Sequence, residues 1–284
     1  MSDTQIANVS DTALWVAVYR AQESERADAL FRDPLAARLA GERGFAIARK
    51  MTGSRYTSWS LVIRTAIIDK LILQAIQNGV DTIVNLGAGL DSRPYRLALP
   101  PHLSWIEVDF PNMIQHKENI LRAEKPVCRL QRISLDLANH EARKKLLARV
   151  AAGATKALVL TEGVVLYLDN AEAAELADDL SAHLQFAYWI TDYLSPRAMR
   201  QVQRRRRKEL KNAPMKFTPD DWFGFFAQHG WKPREILYLA EESYKLGRPV
   251  PLPWWATVLR RIVPGKASDE FKHFSAYILL EPNA

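Results

Sequence analysis

Thr82-Ile83-Val84-Asn85-Leu86-Gly87-Ala88-Gly89-Leu90-Asp91-Ser92-Arg93, followed by Trp105-Ile106-Glu107-Val108-Asp109-Phe110-Pro111, is the stretch that decides the fold. A β-branched apolar run ends in Gly-x-Gly, where the backbone can turn tightly and come close to a ligand. A second apolar run ends, about twenty residues on, in the acidic pair Glu107 and Asp109, whose carboxylates can accept hydrogen bonds from ribose hydroxyls. This is how a parallel α/β sheet builds a pocket for a nucleoside-bearing cofactor.

Working outward, strands and helices alternate. Strands are expected at Thr82–Leu86, Leu103–Val108, Arg129–Leu135, Ala157–Thr161, Tyr188–Tyr193, Arg234–Leu239 and Ser275–Leu280, with helices at Met113–Glu124, Glu141–Ala151 and Ala171–His183. The expectation is a mostly parallel, Rossmann-like sheet of seven strands, covered on both faces and carrying an antiparallel edge. Residues 11–77 read as helical. Asp33-Pro34-Leu35 has the form of an N-cap with proline in the first helical position, and Leu61–Leu73 is mostly apolar all round, interrupted by Arg64 and Asp69. A charge in a buried helix needs a partner. Residues 195–284 break the rhythm with the run Arg204–Lys208, an aromatic stretch around Trp222, Phe223, Phe225 and Phe226, and the pair Trp254-Trp255. The expected organisation is one domain over 1–284: a helical cap (1–77), a cofactor-binding core (78–194), and lid insertions with the last strands (195–284).

Composition narrows the class. The chain has 284 residues, 48% of them hydrophobic, and a formal charge of +7. No apolar run reaches the roughly 18–20 residues of a membrane span, and the polar N-terminus lacks the form of a secretory signal, so a cytoplasmic enzyme without membrane partners is expected. One cysteine, Cys128, excludes a disulfide framework and a cysteine-cluster metal site. The six histidines are scattered, with no metal-ligand spacing and no nucleophile elbow. The Arg204–Lys208 run has no interleaved aromatics for base stacking, which favours a solvated helix face over a nucleic-acid surface.

Gly-x-Gly alone serves both dinucleotide enzymes and methyltransferases. Here the third glycine of the dinucleotide fingerprint is replaced by Ser92. Asp91 stands where a diphosphate would lie, and a carboxylate there repels phosphate but tolerates a sulfonium cation. Glu162 ends a later strand, beside the same crevice. A nicotinamide-dependent oxidoreductase stays open as the alternative.

These residues resemble the leucine carboxyl methyltransferase-like family of S-adenosylmethionine-dependent methyltransferases, in particular its bacterial O-methyltransferase branch. The matching segments are Asp33–Ala36, Arg64-Thr65 with Asp69, Val84–Arg93, Glu107–Pro111 with Lys117, Asp136-Leu137 and Thr161–Val164. The resemblance implies S-adenosyl-L-methionine as cofactor, with Arg64 on its carboxylate and Gly87 and Gly89 close to its methionine part. It further implies Asp109 on the ribose with Glu107 as support or second contact, Asp136 and Leu137 about the adenine, and Glu162 facing the ammonium or sulfonium. Arg93 is read as a cap or a partner of Asp91. The implied reaction is O-methylation of a carboxylate or phenolic hydroxyl on an anionic or aromatic small molecule, polyketide-like acceptors among them. A protein C-terminal carboxylate is the alternative acceptor within the family. Tyr193 is the candidate on the acceptor side. No general base stands out, which suits an acceptor that is already ionised.

Overall fold

A computed structural model describes residues 9–50, 54–205, 214–251 and 272–283. Seven strands form one sheet in the order β3-β2-β1-β4-β5-β7-β6. They are β1 (Thr82–Leu86), β2 (Ser104–Asp109), β3 (Arg129–Ser134), β4 (Ala157–Thr161), β5 (Phe186–Leu194), β6 (Trp231–Tyr238) and β7 (Ser275–Pro282). β1 to β5 pair in parallel; β7 runs antiparallel between β5 and β6. Every residue of β1 and β4 is buried, as expected of central strands covered on both faces.

Each face has its own apolar layer. On one side lies α3 (Ser54–Gln77), whose Ile63, Ile67, Ile68, Leu71 and Ile72 pack with Ile83, Leu158 and Ile190 of the sheet. On the other side α6 (His140–Gly153), α7 (Asn170–Ser181) and α9 (Trp222–Gln228) bury Leu147, Leu176, Leu180, Trp222 and Phe226 against Val84, Val159 and Trp189. The capping box at Asp169 and Glu172 starts α7, and Asn139 caps α6 by accepting from Ala142 N. The aromatics Trp222, Phe226 and Trp231 are therefore core residues, while Arg206–Lys208 and Trp254-Trp255 lie outside the described residues.

The helical N-terminal part, α1 (Val9–Ser24) and α2 (Ala36–Lys50), forms a third apolar cluster with Leu61, Leu90 and Met113. Asp33 ties it to the sheet. Its carboxylate accepts from Leu35 N and from Ser92 Oγ (2.6 Å), and it lies 3.5 Å from Arg20 Nε. Among the described residues no helix is long and apolar enough to cross a membrane.

Candidate active site

The carboxyl ends of β1, β2 and β4 open into a cavity of about 370 Å³. Parallel strands place their ligand sites at these ends. Of the expected cofactor residues, Arg64, Gly87, Gly89, Asp91, Asp109, Asp136, Leu137 and Glu162 all line it. The roof comes from α1, through Ala13, Trp15, Val16 and Arg20.

Gly87 leaves β1 with φ +67°, a conformation that L side chains rarely adopt, and a Cβ there would come within 2.5 Å of Val164 Cγ2. Gly89 follows at φ +46°, with room for a Cβ only 3.2 Å from Ala13 of the roof. Asp109, last residue of β2, draws this loop to itself. It accepts from Gly89 N at 2.6 Å and from Phe110 N at 2.7 Å. Burial lifts its carboxyl above the ordinary value, although both N–H bonds work against the shift.

Glu107 corrects the expectation of a second ribose contact. It sits two residues inside β2, fully buried, with Oε1 on Lys117 Nζ (2.7 Å) and Oε2 on Arg132 Nε (2.9 Å). Unlike Asp109, the residue does not line the cavity, which leaves it only the supporting place.

A charge network runs along the cavity floor. Arg93, fully buried, donates to Asp69 (2.6 Å), Asp91 (2.8 Å) and Glu162 (2.8 Å). Asp69 is further paired with Arg96 at 2.7 Å, so this acid of α3 serves Arg93 and Arg96 and not Arg64. Arg64 Nε stands 2.9 Å from Glu162 Oε1 without a well-directed hydrogen bond. Burial alone would raise the carboxyls of Asp91 and Glu162. The neighbouring cations, Arg93 foremost, with Lys117 and Arg20 beside Asp91 and Arg64 beside Glu162, outweigh it and hold both below their ordinary values, Asp91 far below. Asp136 lines the far end, where its carboxylate also closes a local turn by accepting from Ala138 N.

Sequence reasoning missed four residues. Asn85 lines the cavity from β1, donates to Asp91 (2.8 Å), and leaves its Oδ1 buried without a partner. A polar residue inside the apolar run Ile83–Leu86 was the available signal. Arg20 reaches in from the roof and donates to Leu90 O at 2.6 Å. Phe110, 41% exposed, offers an apolar face at the rim beside Asp109. Asp192 lies behind the cavity. Its Oδ1 accepts from Gly163 N at 2.9 Å, its Oδ2 is buried without a partner, and burial raises its carboxyl to about 7.

Tyr193 is not in the lining. Its ring packs among Trp222, Phe223 and Tyr238, with centroids 5.5, 5.6 and 6.4 Å away. Successive strand residues face opposite sides of a sheet. On β5 that alternation turns Asp192 towards Arg64 and sends Tyr193 into the other layer. Among the described residues no group of three or more His, Cys, Asp or Glu side chains could hold a metal ion.

The donor set suits a zwitterionic amino-acid end attached to a nucleoside. A guanidinium and a carboxylate stand side by side to meet a carboxylate and an ammonium, with the orphaned Asn85 Oδ1 as a further acceptor. Asp91, Asp109, Asp136 and Glu162 make the walls acidic, which disfavours a diphosphate and with it the nicotinamide reading.

Comparison with known proteins agrees. The family model described as leucine carboxyl methyltransferase matches residues 13–181. A protein of Streptomyces avermitilis, named a candidate S-adenosyl-L-methionine-dependent methyltransferase, is 33% identical over 88% of this chain and 92% of its own. One of Streptomyces coelicolor with the same description is 34% identical over 87% and 90%. Among solved structures, a candidate methyltransferase from Thermobifida fusca superposes with a TM-score of 0.59 over 98% of this chain and 96% of its own, at 15% identity. At that identity the likeness speaks for the fold alone.

Proposed function

The chain belongs to the leucine carboxyl methyltransferase family and is an S-adenosylmethionine-dependent methyltransferase, and from that premise we propose that it methylates an oxygen of a small organic molecule, a carboxylate in preference to a phenolic hydroxyl. The observation that carries this reading is the chemistry of the cavity wall. Among the described residues its ionisable side chains are Arg20, Arg64, Asp91, Asp109, Asp136, Glu162, Tyr167, Glu172 and Lys216, with neither histidine nor cysteine. The carboxylates are already engaged. Asp91 and Glu162 are held ionised by guanidiniums, and Asp109, Asp136 and Glu172 accept backbone N–H groups. A phenol, with a pKa near 10, gains from a base; a carboxylate is ionised at neutral pH without one.

The bound cofactor supplies a methyl group on a sulfonium, already a good leaving group. What remains for the chain is to hold, orient and keep out water, and orientation of this sort is worth about 7–11 kcal/mol of the barrier. On this reading Arg64 releases Glu162 and grips the amino-acid carboxylate through two parallel hydrogen bonds. Glu162, still anchored on Arg93, faces the ammonium together with Asn85 Oδ1. Asp109 holds the ribose, Asp136 and Leu137 bracket the adenine, and Gly87 and Gly89 let the backbone approach. Asp91, kept ionised beneath, adds negative potential towards the sulfonium. The Arg64–Glu162 pair thus stands in for the two charges that the ligand brings.

The test is formation of S-adenosylhomocysteine with a panel of small carboxylates and phenols. Turnover should fall to the carboxylates, with a rate that stays flat from about pH 6 to pH 9 because the acceptor is fully ionised there. Turnover of phenols alone, or methylation at nitrogen, would overturn the reading.

A further inference from the structure

Two buried polar atoms of opposite kind are left over on one side of the cofactor cavity. One is a donor, Nε of Arg64 on α3; the other is an acceptor, Oδ2 of Asp192 on β5. Buried polar groups in folded chains are almost always paired, so each exception needs a reason. Both side chains flank Gly163. Its N–H donates to Asp192 Oδ1 at 2.9 Å, and a Cβ built on it would lie 3.9 Å from Arg64 Nη1. Arg64 Nε is turned instead to Glu162 Oε1, at 2.9 Å and a poor angle.

Gly163 is the middle of the turn Glu162-Gly163-Val164 that follows β4, and its φ of +67° suits glycine alone. Val164 stands over Gly87, so the turn also bears on the glycine loop. Asp192 therefore anchors, through Oδ1, the piece of chain that carries Glu162. Across the sheet Asp192 pairs in register with Tyr277 of β7, also buried. The groups whose charge Asp192 senses are Arg64 from α3, Glu162 from the turn and Tyr277 from β7. Burial pushes the Tyr277 hydroxyl far up and keeps it neutral, which leaves Arg64 as the cation of the three.

We propose that Asp192 is a positioning residue for Arg64: as Arg64 leaves Glu162, one edge of its guanidinium takes the cofactor carboxylate and a further N–H is held by Asp192 Oδ2. The proposal rests on the reading above that Arg64 grips that carboxylate. A guanidinium has five N–H donors in a rigid fork, and two of them serve the ligand. The others stay buried and need acceptors. Asp192 is fixed at Oδ1, so it does not follow the guanidinium but sets its plane. It is also fixed to the turn that carries Glu162, and thereby sets the spacing between the cation and the anion that meet the two charges of an amino acid. Its carboxyl, raised by burial to about 7, gives up its proton readily, and a guanidinium on Oδ2 favours the ionised form.

The test is calorimetry on the full chain at about pH 8, where Asp192 is ionised. One probe is S-adenosylhomocysteine, which carries the amino-acid end; the other is 5′-methylthioadenosine, which keeps the nucleoside and the thioether and lacks that end. Asp192→Asn retains an acceptor for Gly163 N and turns an N–H towards Arg64 in place of an oxygen. It should weaken S-adenosylhomocysteine about tenfold and leave 5′-methylthioadenosine within about twofold, since a hydrogen bond to a charged group is lost at one end of the ligand only. A merely structural role would move both probes together, and binding of the second probe reports that the variant is folded. In an Arg64→Ala background Asp192→Asn should add nothing, because Asp192 acts through Arg64. Equal loss for both probes, no loss in Asp192→Asn, or an undiminished loss in the Arg64→Ala background would overturn the proposal. So would the same split between probes in Tyr277→Phe, which would put the donor to Oδ2 on Tyr277. An Arg64→Ala variant that binds S-adenosylhomocysteine as the parent does would remove the reading of Arg64 as well; a tenfold loss there with Asp192→Asn silent would remove the part of Asp192 alone.

Discussion

Arg64 and Arg93 share one carboxylate, Glu162, and differ in everything else. Arg93 is 1% exposed and makes directed hydrogen bonds to three carboxylates. Arg64 leaves 19% of its side chain exposed, faces the cavity, and among the described residues has one carboxylate within ion-pair distance, Glu162, at an unfavourable angle. The difference separates a charge that is part of the framework from one held ready for a ligand. A buried cation whose donors are used up cannot be redirected without leaving its partners stranded. A half-satisfied cation at a cavity wall can exchange its partner at little cost.

Substitution at the two positions should break in opposite ways. Arg93→Ala leaves Asp69, Asp91 and Glu162 short of a buried counter-charge, and should cost about 3–5 kcal/mol of folding stability in denaturant unfolding. Loss of cofactor affinity with unchanged stability would contradict the contrast. Asp192, the buried acid on the Arg64 side, comes next. Its carboxyl titrates at about 7 in the folded chain against 3.8 when unfolded. Between those values the folded state keeps a proton that the unfolded state has lost, so stability should fall with rising pH by about 1.4 kcal/mol per unit and level off above about pH 7. Asp192→Asn, which still accepts from Gly163 N, should remove that slope and be more stable than the parent by roughly 4 kcal/mol at pH 8. A parallel pair of stability–pH curves would refute this.

How much of this could be read from the sequence follows from where each signal arises. β1 and β4 are bounded correctly because a short, mainly apolar run bounded by turn residues is the mark of a central parallel strand, even with Asn85 inside β1. β6 is less legible: Pro233 reads as a breaker, yet β6 is an edge strand and tolerates it at a register shift between Pro233 and Glu235. Most of the expected cofactor residues that line the cavity stand in short motifs at strand ends. Depth within a strand is not written in a motif, which is why the sequence leaves Glu107 open as support or as a second ribose contact. Nor is facing: Tyr193 and Asp192 are neighbours in sequence, but only one of them turns towards Arg64. The unpartnered Asn85 Oδ1 needs tertiary structure to be noticed at all.

Smaller effects sharpen the same contrast. Arg64→Ala should leave unfolding nearly unchanged and weaken S-adenosylmethionine by about 1.5–3 kcal/mol in calorimetry, a factor of roughly ten to a hundred. Asp109→Asn, which loses the charge and keeps only one of the two acceptors that hold Gly89 N and Phe110 N, should weaken it by about 1–2 kcal/mol. Tyr193→Phe should change neither binding nor turnover measurably, since its ring is packing and its hydroxyl lies away from the cavity.

The stitching of α1 to the glycine loop has a consequence for how occupancy can be observed. Arg20 holds Leu90 O, Asp33 holds Ser92 Oγ, and Ala13 sits directly over Gly89. Any ligand that rigidifies residues 87–92 must therefore quiet the roof as well. Amide hydrogen exchange along residues 12–24, remote in sequence from every strand, becomes a gauge of whether the crevice is filled.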